Sequence, residues 1–448
     1  MTNPITVVGG GLAGAMLATY LGREGFAVSL FDSRPDLRTT DISAGRSINL
    51  ALATRGIVAL EELGLMNRVT PLLTPMRGRM IHDRDGTQTL QMYGNRTDEV
   101  IYSVGRSDLT AILLDAAEDT GNVVAHFQHR CVGGSALGGV LQFVNYATDE
   151  QFDVETVTFF GTDGWASVVR DILVAEGDTT VTTHPLDHGY KELQLPPGPD
   201  GAPLLDPNAL HIWPRGGFML IALANIDHSF TCTLFVPRKG AEFSLETLDD
   251  ADTVKRFFRR EFPDFVALDD SWIQQMLTNP DGHVGTIHVD GWALQDKAVI
   301  LGDAAHAIVP FHGQGMNAAF ESCRVLMESL RRHPHNWEAA FVEFEAARKP
   351  DTDAIAQMAL DNYLEMRSSV RDDRYVLRRQ LALELERRWP EQFVPRYSMV
   401  MFRTLPYAEA QRRAAVQAEI LRELTEGVDS LEQVDFAKAE QLVERLPR

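Results

Sequence analysis

The segment 5-ITVVGGGLAGAMLATYLGREGFAVSLFD-32 decides the fold of this chain. An apolar strand runs into a glycine turn, an amphipathic helix follows, and a second apolar strand ends at Asp32. Both strands are apolar enough to be buried, so the segment predicts one βαβ unit with parallel strands. The turn fits the pattern GxGxxG, with Gly9, Gly11 and Gly14 at its glycine positions.

This turn and the acid after it suit a dinucleotide. Because the glycines have no side chains, backbone N–H groups can approach a pyrophosphate at the positive end of the helix. Asp32 can accept hydrogen bonds from a ribose diol. A turn without a ligand is the alternative, but strand, helix and acid all fit the dinucleotide context. The motif leaves FAD and NAD both open.

A second segment, 298-AVILGDAAHAIVPFHGQGMNAAFE-321, places polar residues directly after an apolar strand. Asp303 follows the strand, and residues 313–316 lead into a helix. A carboxylate there can hold a sugar-like hydroxyl, and a helix start can hold phosphate or a polarised ring oxygen. A flavin has a ribityl chain and ring oxygens that need this combination, whereas a nicotinamide dinucleotide has no ribityl chain. The segment therefore favours FAD over a merely capped turn, for which one glycine would suffice.

A third segment, 161-GTDGWASVVR-170, is another strand end with Asp163 and Gly164 before a helix. By itself it is an ordinary turn. Beside the other two segments it is similar to the middle fingerprint of a flavin hydroxylase.

Length, charge and cysteine content limit the function classes. A chain of 448 residues predicts two or three domains. The net charge of −21 disfavours nucleic acid and anionic membranes as partners. The three cysteines are widely spaced without a CxxC pair, which disfavours a disulfide framework or a sulfur-rich metal site. No apolar stretch reaches the ~18 residues of a membrane span and the tail is polar, so we expect a soluble cytoplasmic protein, monomeric or homodimeric.

The three segments, in this order, resemble the single-component FAD-dependent aromatic hydroxylases. Within that family the chain is most similar to the members that act on L-kynurenine, and GRSINLAL and HGYKEL are the most specific parts of the match. The resemblance extends to about residue 412. The matching segments are GRSINLALATRG (45–56), PMRGRMIH (75–82), YGNRTDEVIYSVGR (93–106), HGYKEL (188–193), ALHIWPRGGFMLIALAN (209–225), SFTCTLF (229–235), GDAAHAIVPFHGQGMNAAFE (302–321), NYLEMR (362–367) and RYSMVMF (396–402).

The resemblance implies an α/β fold with a Rossmann-like FAD-binding domain, an inserted and mostly antiparallel substrate sheet, and C-terminal helices that close the substrate pocket. With the strand pattern, it places the FAD-binding domain at 1–70, 100–180 and 285–345, the sheet domain at 71–99 and 181–284, and the helical region at 346–448. The implied reaction is the O2-dependent hydroxylation of L-kynurenine to 3-hydroxy-L-kynurenine through a flavin hydroperoxide. FAD would be bound tightly without a covalent link, and NADPH would bind transiently as co-substrate.

The resemblance also assigns residues. Those expected to grip the substrate carboxylate are Arg79, Tyr93, Asn362 and Tyr397, and those expected to line the pocket of the aromatic ring are Leu210, Met219, Ile221 and Phe235. Pro310, Phe311 and His312 would lie between flavin and substrate. The residues expected to contact FAD are Gly9, Gly11, Leu12, Ala13, Gly14, Asp32, Arg34, Ala51, Arg106, Asp163, Asp303, Gly315, Met316 and Asn317.

Some of these assignments have alternatives in the pattern itself. Arg77 and Arg79 would share a strand face, so spacing does not choose between them, and without the resemblance both would be exposed arginines. The apolar pocket residues equally suit an ordinary sheet core. His312 is either a proton relay or a packed histidine. His306 is expected to be structural, and Thr162 and Gly105 depart from the residues more familiar in the family.

Three other functions remain open at this point. One is a hydroxylase of a related aromatic amine or a substituted kynurenine, which would not need all four carboxylate-gripping residues. Another is an NADPH oxidase that releases H2O2. The third is a flavin-binding scaffold without catalysis, which does not account for the polar residues between Asp303 and Asn317.

Overall fold

The structure, a computed structural model, describes residues 5–39, 49–368 and 373–446, without the side chains of 366–368. Residues 45–48 of the matching segment 45–56 lie outside them. Within the described residues the strands are β1 (Ile5–Val8), β2 (Val28–Phe31), β3 (Asn49–Leu52), β4 (Thr74–Met76), β5 (Gly78–His82), β6 (Gln88–Met92), β7 (Ile101–Gly105), β8 (Val123–His126), β9 (His129–Ser135), β10 (Val140–Asn145), β11 (Glu150–Glu155), β12 (Phe159–Gly161), β13 (Thr180–Leu195), β14 (Ala209–Pro214), β15 (Met219–Ala224), β16 (Phe230–Pro237), β17 (Gly282–Asp290), β18 (Ala293–Leu294) and β19 (Ala298–Ile300).

The α-helices alternate with the strands in the first half of the chain and dominate its end. They are α1 (Leu12–Arg23), α2 (Thr54–Glu62), α3 (Met66–Val69), α4 (Arg106–Glu118), α5 (Val168–Glu176), α6 (Ala251–Glu261), α7 (Pro263–Val266), α8 (Trp272–Thr278), α9 (Asp303–His306), α10 (Gly315–Arg332), α11 (Trp337–Ser368), α12 (Asp373–Arg388), α13 (Arg396–Phe402), α14 (Tyr407–Leu424) and α15 (Phe436–Val443). Short 3-10 helices occupy Thr70–Leu72, Pro310–His312 and Leu431–Gln433.

The chain divides into two compact units. The first unit contains Met1–Leu73, Val104–Leu186 and Val284–Ala356. The second unit contains Thr74–Ser103, Asp187–His283 and Gln357–Arg448. Each unit is therefore built from three separate stretches of sequence.

A six-stranded sheet in the order β18-β19-β12-β1-β2-β8 organises the first unit. Its strands are parallel except β18, which pairs antiparallel with β19. The carboxyl ends of parallel strands meet at one edge of a sheet. Asp32, Asp163 and Asp303, which follow β2, β12 and β19, therefore lie at the same edge, and this edge is the place where α/β sheets bind ligands.

The second unit contains a sheet in which β13, β16, β15, β14, β5 and β6 are neighbours in that order. Among these neighbours only β14 and β5 are parallel, so the sheet is mostly antiparallel, as the sequence predicts. Helices α6, α7 and α8 cover one face with a core that includes Trp213, Phe258 and Trp272. Because side chains alternate between the faces of a strand, the residues between these core positions project from the other face.

Strand β13 begins well before its buried part. Its first six residues, from Thr180, are exposed, and the buried alternation begins only at His188. A strand without a buried face has no apolar period, so its pattern does not reveal it.

The C-terminal helices of the second unit have a separate small core, formed by α12, α14 and α15 around Leu381, Leu385 and Phe393. None of the helices among the described residues combines the length and the apolar character that crossing a bilayer requires.

Candidate active site

The glycine turn of the first unit is packed too closely to admit a side chain. A Cβ atom on Gly14 would overlap the carbonyl oxygen of Gly9, and Gly9 itself has a φ of +98°. The hydroxyl of Thr162 lies 2.9 Å from the carbonyl oxygen of Val8 and 2.8 Å from that of Gly9, so it donates to this turn. The N-terminus of α1 is thereby fixed against the sheet edge.

Asp32 is buried beneath this turn and oriented by it. One of its carboxylate oxygens accepts a hydrogen bond from the backbone N–H of Gly10 at 2.8 Å. The half-exposed guanidinium of Arg34 donates to both oxygens, at 3.0 and 2.7 Å. The acid and the arginine expected to contact FAD are thus hydrogen-bonded to each other beside the turn.

The helix starts at this edge present backbone donors to a phosphate or a ring oxygen. The N-cap positions of α1 and α10 are Gly11 and Gln314, and neither provides a side-chain cap in the structure. Backbone N–H groups at an uncapped helix start can bind an anion by themselves. The uncapped ends and the glycine turn therefore fit the pyrophosphate and ring of FAD. The expected FAD contacts in the first turns of these two helices are Leu12, Ala13, Gly315 and Met316.

Asp303 lies at the same edge, and its carboxylate is reachable from solvent. Its side chain is exposed although protein atoms surround it on most sides. Burial raises the pKa of Asp303, and the positive charge of Arg106 opposes this rise. A carboxylate that is both reachable and near a cation can accept hydrogen bonds from a ribityl hydroxyl.

Asp163 is hydrogen-bonded to the start of α5. Its oxygens accept hydrogen bonds from the hydroxyl of Ser167 at 2.5 Å and from the backbone N–H groups of Val168 and Val169 at 2.7 and 3.2 Å. Burial raises the pKa of Asp163, and these hydrogen bonds oppose the rise. A contact of Asp163 with FAD stays a prediction.

Asn317 joins the start of α10 to the segment after β3. Its side-chain amide donates to the carbonyl oxygens of Ala51 and Gly313, at 2.8 and 2.9 Å. Its amide oxygen accepts from the backbone N–H of Ala53 at 2.9 Å. Two of the expected FAD contacts, Ala51 and Asn317, are thus held together by one side chain.

A buried ion network lies behind this edge, and the sequence does not predict it. Glu321 accepts from Arg55 at 2.7 Å and from Arg348 at 2.9 Å, and the two arginine side chains are 0% and 3% exposed. Arg348 also reaches Ser322, which contacts His306 at 3.1 Å. His306 is therefore a buried, bonded histidine, and burial lowers its pKa to about 3. Charged residues in helices are usually exposed, so the helical pattern does not reveal this network, although Arg55 and Glu321 lie within the matching segments 45–56 and 302–321.

Residues 310–312 form a 3-10 helix in the first unit. Pro310 is exposed, whereas Phe311 and His312 are buried. The roles expected for them beside the flavin stay predictions.

The second unit holds a buried arginine beside two stacked tyrosines, here called the Arg79 cage. Arg79 is 3% exposed, and its guanidinium carbon lies 4.7 Å from the ring centroid of Tyr397 and 5.9 Å from that of Tyr93. The two rings stack with centroids 5.1 Å apart. Arg77 is exposed, so the structure separates the two arginines, and the interpretation of Arg79 as a solvated arginine is wrong.

The charge of Arg79 has no carboxylate in ion-pair contact among the described residues. Its Nε atom is buried without a hydrogen-bond acceptor, and the charge of Glu365 acts on it only from a greater distance. An arginine cannot lose its proton in a protein, and an unpaired buried charge is costly. The cage is therefore suited to an anion that arrives from outside.

An apolar surface adjoins Arg79 on the same face of the sheet. Leu210 pairs with Arg79 across β14 and β5, and Ile212, on the same face as Leu210, pairs with Ile221. This face is opposite the one that α6, α7 and α8 cover. The structure therefore brings together the four residues expected to line the ring pocket, which are Leu210, Met219, Ile221 and Phe235.

Helix α11 carries Asn362, which is buried, and Glu365 one turn later. Glu365 accepts hydrogen bonds from the hydroxyl of Tyr375 and from Arg396, the latter at 2.9 Å. Burial and the charge of Glu365 raise the pKa of Tyr375 to about 12. No sequence pattern predicts the bonds among these three residues, but Glu365 and Arg396 lie within the matching segments NYLEMR and RYSMVMF, which is the signal that could have found them.

The sequence of this chain is similar to those of known proteins. Residues 2–337 match the family model described as FAD binding domain. A kynurenine 3-monooxygenase of Stenotrophomonas maltophilia is 45% identical over 100% of this chain and 98% of its own length. One of Myxococcus xanthus is 43% identical over 98% of this chain and 95% of its own.

The chain belongs to the kynurenine 3-monooxygenase family. Because residues 2–337 match the FAD binding domain, FAD is the cofactor, as the sequence predicts. The predicted fold class is confirmed as well.

Two solved structures show the same fold at low identity. PqsL of Pseudomonas aeruginosa, in complex with 2-aminobenzoylacetate, superposes with a TM-score of 0.65 at 19% identity and covers 82% of this chain and 97% of its own. 2-Methyl-3-hydroxypyridine-5-carboxylic acid oxygenase superposes with a TM-score of 0.63 at 20% identity and covers 82% and 93%.

Proposed function

We propose that this chain hydroxylates L-kynurenine to 3-hydroxy-L-kynurenine with NADPH and O2. The observation that carries the proposal is the unpaired, buried charge of Arg79 beside an apolar sheet face. Kynurenine has a carboxylate at one end and an aromatic amine at the other, so a single molecule matches both parts.

Arg79 would bind the carboxylate through a charge-assisted pair. A guanidinium can donate two parallel hydrogen bonds to a carboxylate, which fixes its direction as well as its position. Tyr93 and Tyr397 lie beside Arg79, and Asn362 provides an amide on α11. Together they would anchor one end of the substrate.

The apolar face would hold the aromatic ring and exclude water. Leu210, Met219, Ile221 and Phe235 offer the surface, and burial of a ring there is favourable because its apolar area leaves water. Exclusion of water matters because water would let the activated oxygen decay before it reaches the substrate.

The residues at the first unit's sheet edge would hold FAD, with the glycine turn at the pyrophosphate and Asp32 at the ribose. When bound, FAD supplies hydride acceptance from NADPH and activation of O2. The protein's own part is to bind and orient the reactants, so the proposal needs no covalent side-chain catalyst.

The test is turnover of the purified holoprotein with NADPH, O2 and either L-kynurenine or kynuramine, which lacks the carboxylate. We expect a product heavier by one oxygen from kynurenine, and a much lower kcat/KM for kynuramine. Equal kcat/KM for both compounds would contradict the role of Arg79. Peroxide without a hydroxylated product would favour the oxidase alternative.

A further inference from the structure

The segment that carries Tyr93 is fastened to one face of α12. This segment, residues 92–99, is called the Tyr93 segment below. Arg379 of α12 donates to the carbonyl oxygen of Met92, directly before Tyr93, at 2.6 Å. The backbone next to the tyrosine is thereby tied to the helix.

Asn95 makes a second attachment to the same face of α12. Its side-chain amide donates to the carbonyl oxygen of Leu383 at 2.8 Å and to the carboxyl of Glu386 at 3.1 Å. Positions 379, 383 and 386 are four and three residues apart, so they share one face of the helix. This face of α12 contacts the Tyr93 segment, and its contact residue nearest the end of the helix is the acid Glu386.

Two carboxyl groups are buried where the segment meets the helix. Glu99 and Glu386 are each 4% exposed. Glu99 accepts a hydrogen bond from the backbone N–H of Arg96 at 3.1 Å, and a Cβ atom on Gly94 would overlap its Oε2 atom. The Oε1 atom of each acid is buried without a hydrogen-bond partner among the described residues.

The surroundings of Glu386 favour its protonated form. Burial raises its pKa and the charge of Glu99 raises it further, whereas Asn95, Arg403 and Arg96 lower it. The result is a pKa of about 7. These are the charged and hydrogen-bonding groups that face Glu386 from the Tyr93 segment and from the residue after α13.

We propose that Glu386 and Glu99 share one proton and act as positioning residues that hold Tyr93 in the substrate site. A single O–H···O bond between the two acids would satisfy both unpartnered oxygens at once, and leaving a buried polar atom unsatisfied is costly. The inference rests on the proposed function, since it assigns Tyr93 to substrate binding.

The sign of the pH effect follows from the direction of the shift. A carboxyl whose pKa is raised in the folded state stabilises the folded protein at low pH. For Glu386 this stabilisation is lost as the pH rises from about 4.5, the ordinary pKa, to about 7, the pKa in the folded protein. Above pH 7 two carboxylates would face each other, and their repulsion would loosen the Tyr93 segment. Substrate affinity should then fall.

The experiment measures the Kd of L-kynurenine for the holoprotein between pH 6 and pH 8, from the spectral change of bound FAD. We expect the wild-type Kd to rise about tenfold, the change for one ionisation near pH 7. Glu386→Gln should give a flat profile, because the amide keeps a donor and has no charge to gain. Glu99→Gln should also give a flat pH profile, and it replaces Glu386→Gln in the test if that variant does not fold.

Glu384→Gln is the matched control. Arg387 and Arg388 lower the pKa of Glu384 to about 2, so it stays ionised throughout, and its variant should keep the wild-type profile. The shared-proton proposal is overturned if Glu386→Gln keeps the wild-type pH dependence of the Kd, or if the wild-type protein binds kynurenine with a Kd that does not change with pH. Either result leaves the proposed function standing. Absence of kynurenine binding at every pH overturns the proposed function as well.

Discussion

The sheet edge of the first unit and the Arg79 cage of the second unit present different kinds of binding group, backbone groups at the edge and side chains in the cage. The edge uses backbone N–H groups at helix starts, with glycines that allow close approach. The cage uses side chains that come from β5, the segment after β6 and α13. A site made of backbone groups requires glycines, which have no side chains, at a few neighbouring positions. A site made of side chains requires that distant segments of the chain fold next to one another.

The two regions also differ in charge. At the edge, Asp32 is already paired with Arg34. In the cage, the Nε atom of Arg79 has no acceptor among the described residues. Asp32 therefore has its counter-charge within the protein, whereas the proposed substrate carboxylate would supply the counter-charge of Arg79.

Gly14→Ala should have the largest effect. The new Cβ would overlap the Gly9 carbonyl oxygen, so α1 would have to move, and we expect a cost above about 4 kcal/mol with loss of bound FAD. FAD content and Tm measure it. Gly217→Ala, whose Cβ would meet open space, is the control. Full FAD content in Gly14→Ala would show that the turn is more adaptable than its contacts indicate.

Glu321→Gln should come next. It would remove the carboxylate that two buried guanidiniums share, leaving Arg348 with Asp351 at 3.2 Å, and we expect a cost of about 3 kcal/mol. Thermal unfolding should show a clear fall in Tm. Glu328→Gln on the same helix removes a partly exposed pair with Arg324 and should cost about 0–1 kcal/mol. Equal Tm values for the two variants would refute the structural importance of the buried network.

Arg79→Met should weaken kynurenine binding by about 2–5 kcal/mol while FAD stays bound. The loss arises because the substrate carboxylate would have no cation. Titration with kynurenine measures the Kd, and Arg77→Met, at an exposed position, should leave it unchanged. If both variants bind alike, the cage is not the carboxylate site.

Thr162→Ala should have the smallest effect, about 1 kcal/mol, because it removes one hydroxyl that donates to the glycine turn. The Tm and the FAD Kd should shift slightly. Thr278→Ala, at an exposed position, is the control and should stay within about 0.5 kcal/mol. A large loss of FAD in Thr162→Ala would mean that the hydroxyl does more than anchor the turn.

The sequence reveals some of the site residues and not others for physical reasons. Gly9, Gly14 and Asp32 are recognisable because a turn of this kind requires them within one short segment. Arg79 cannot be told from its neighbour at 77, since strand spacing does not say which of the two is buried. Glu321 lies within the matching segment 302–321, but the sequence does not indicate its ion pairs, because a helical glutamate is normally exposed and only its two buried arginine partners show otherwise.

By itself the sequence determined the FAD-binding fold, because backbone conformation and apolar period are local properties that neighbouring residues specify. Only the tertiary structure decided that Arg79 is buried beside two stacked tyrosines, and that Glu365, Tyr375 and Arg396 form a bonded group. These arrangements join segments that lie far apart in the chain, and their energies arise from burial and charge that no single segment contains.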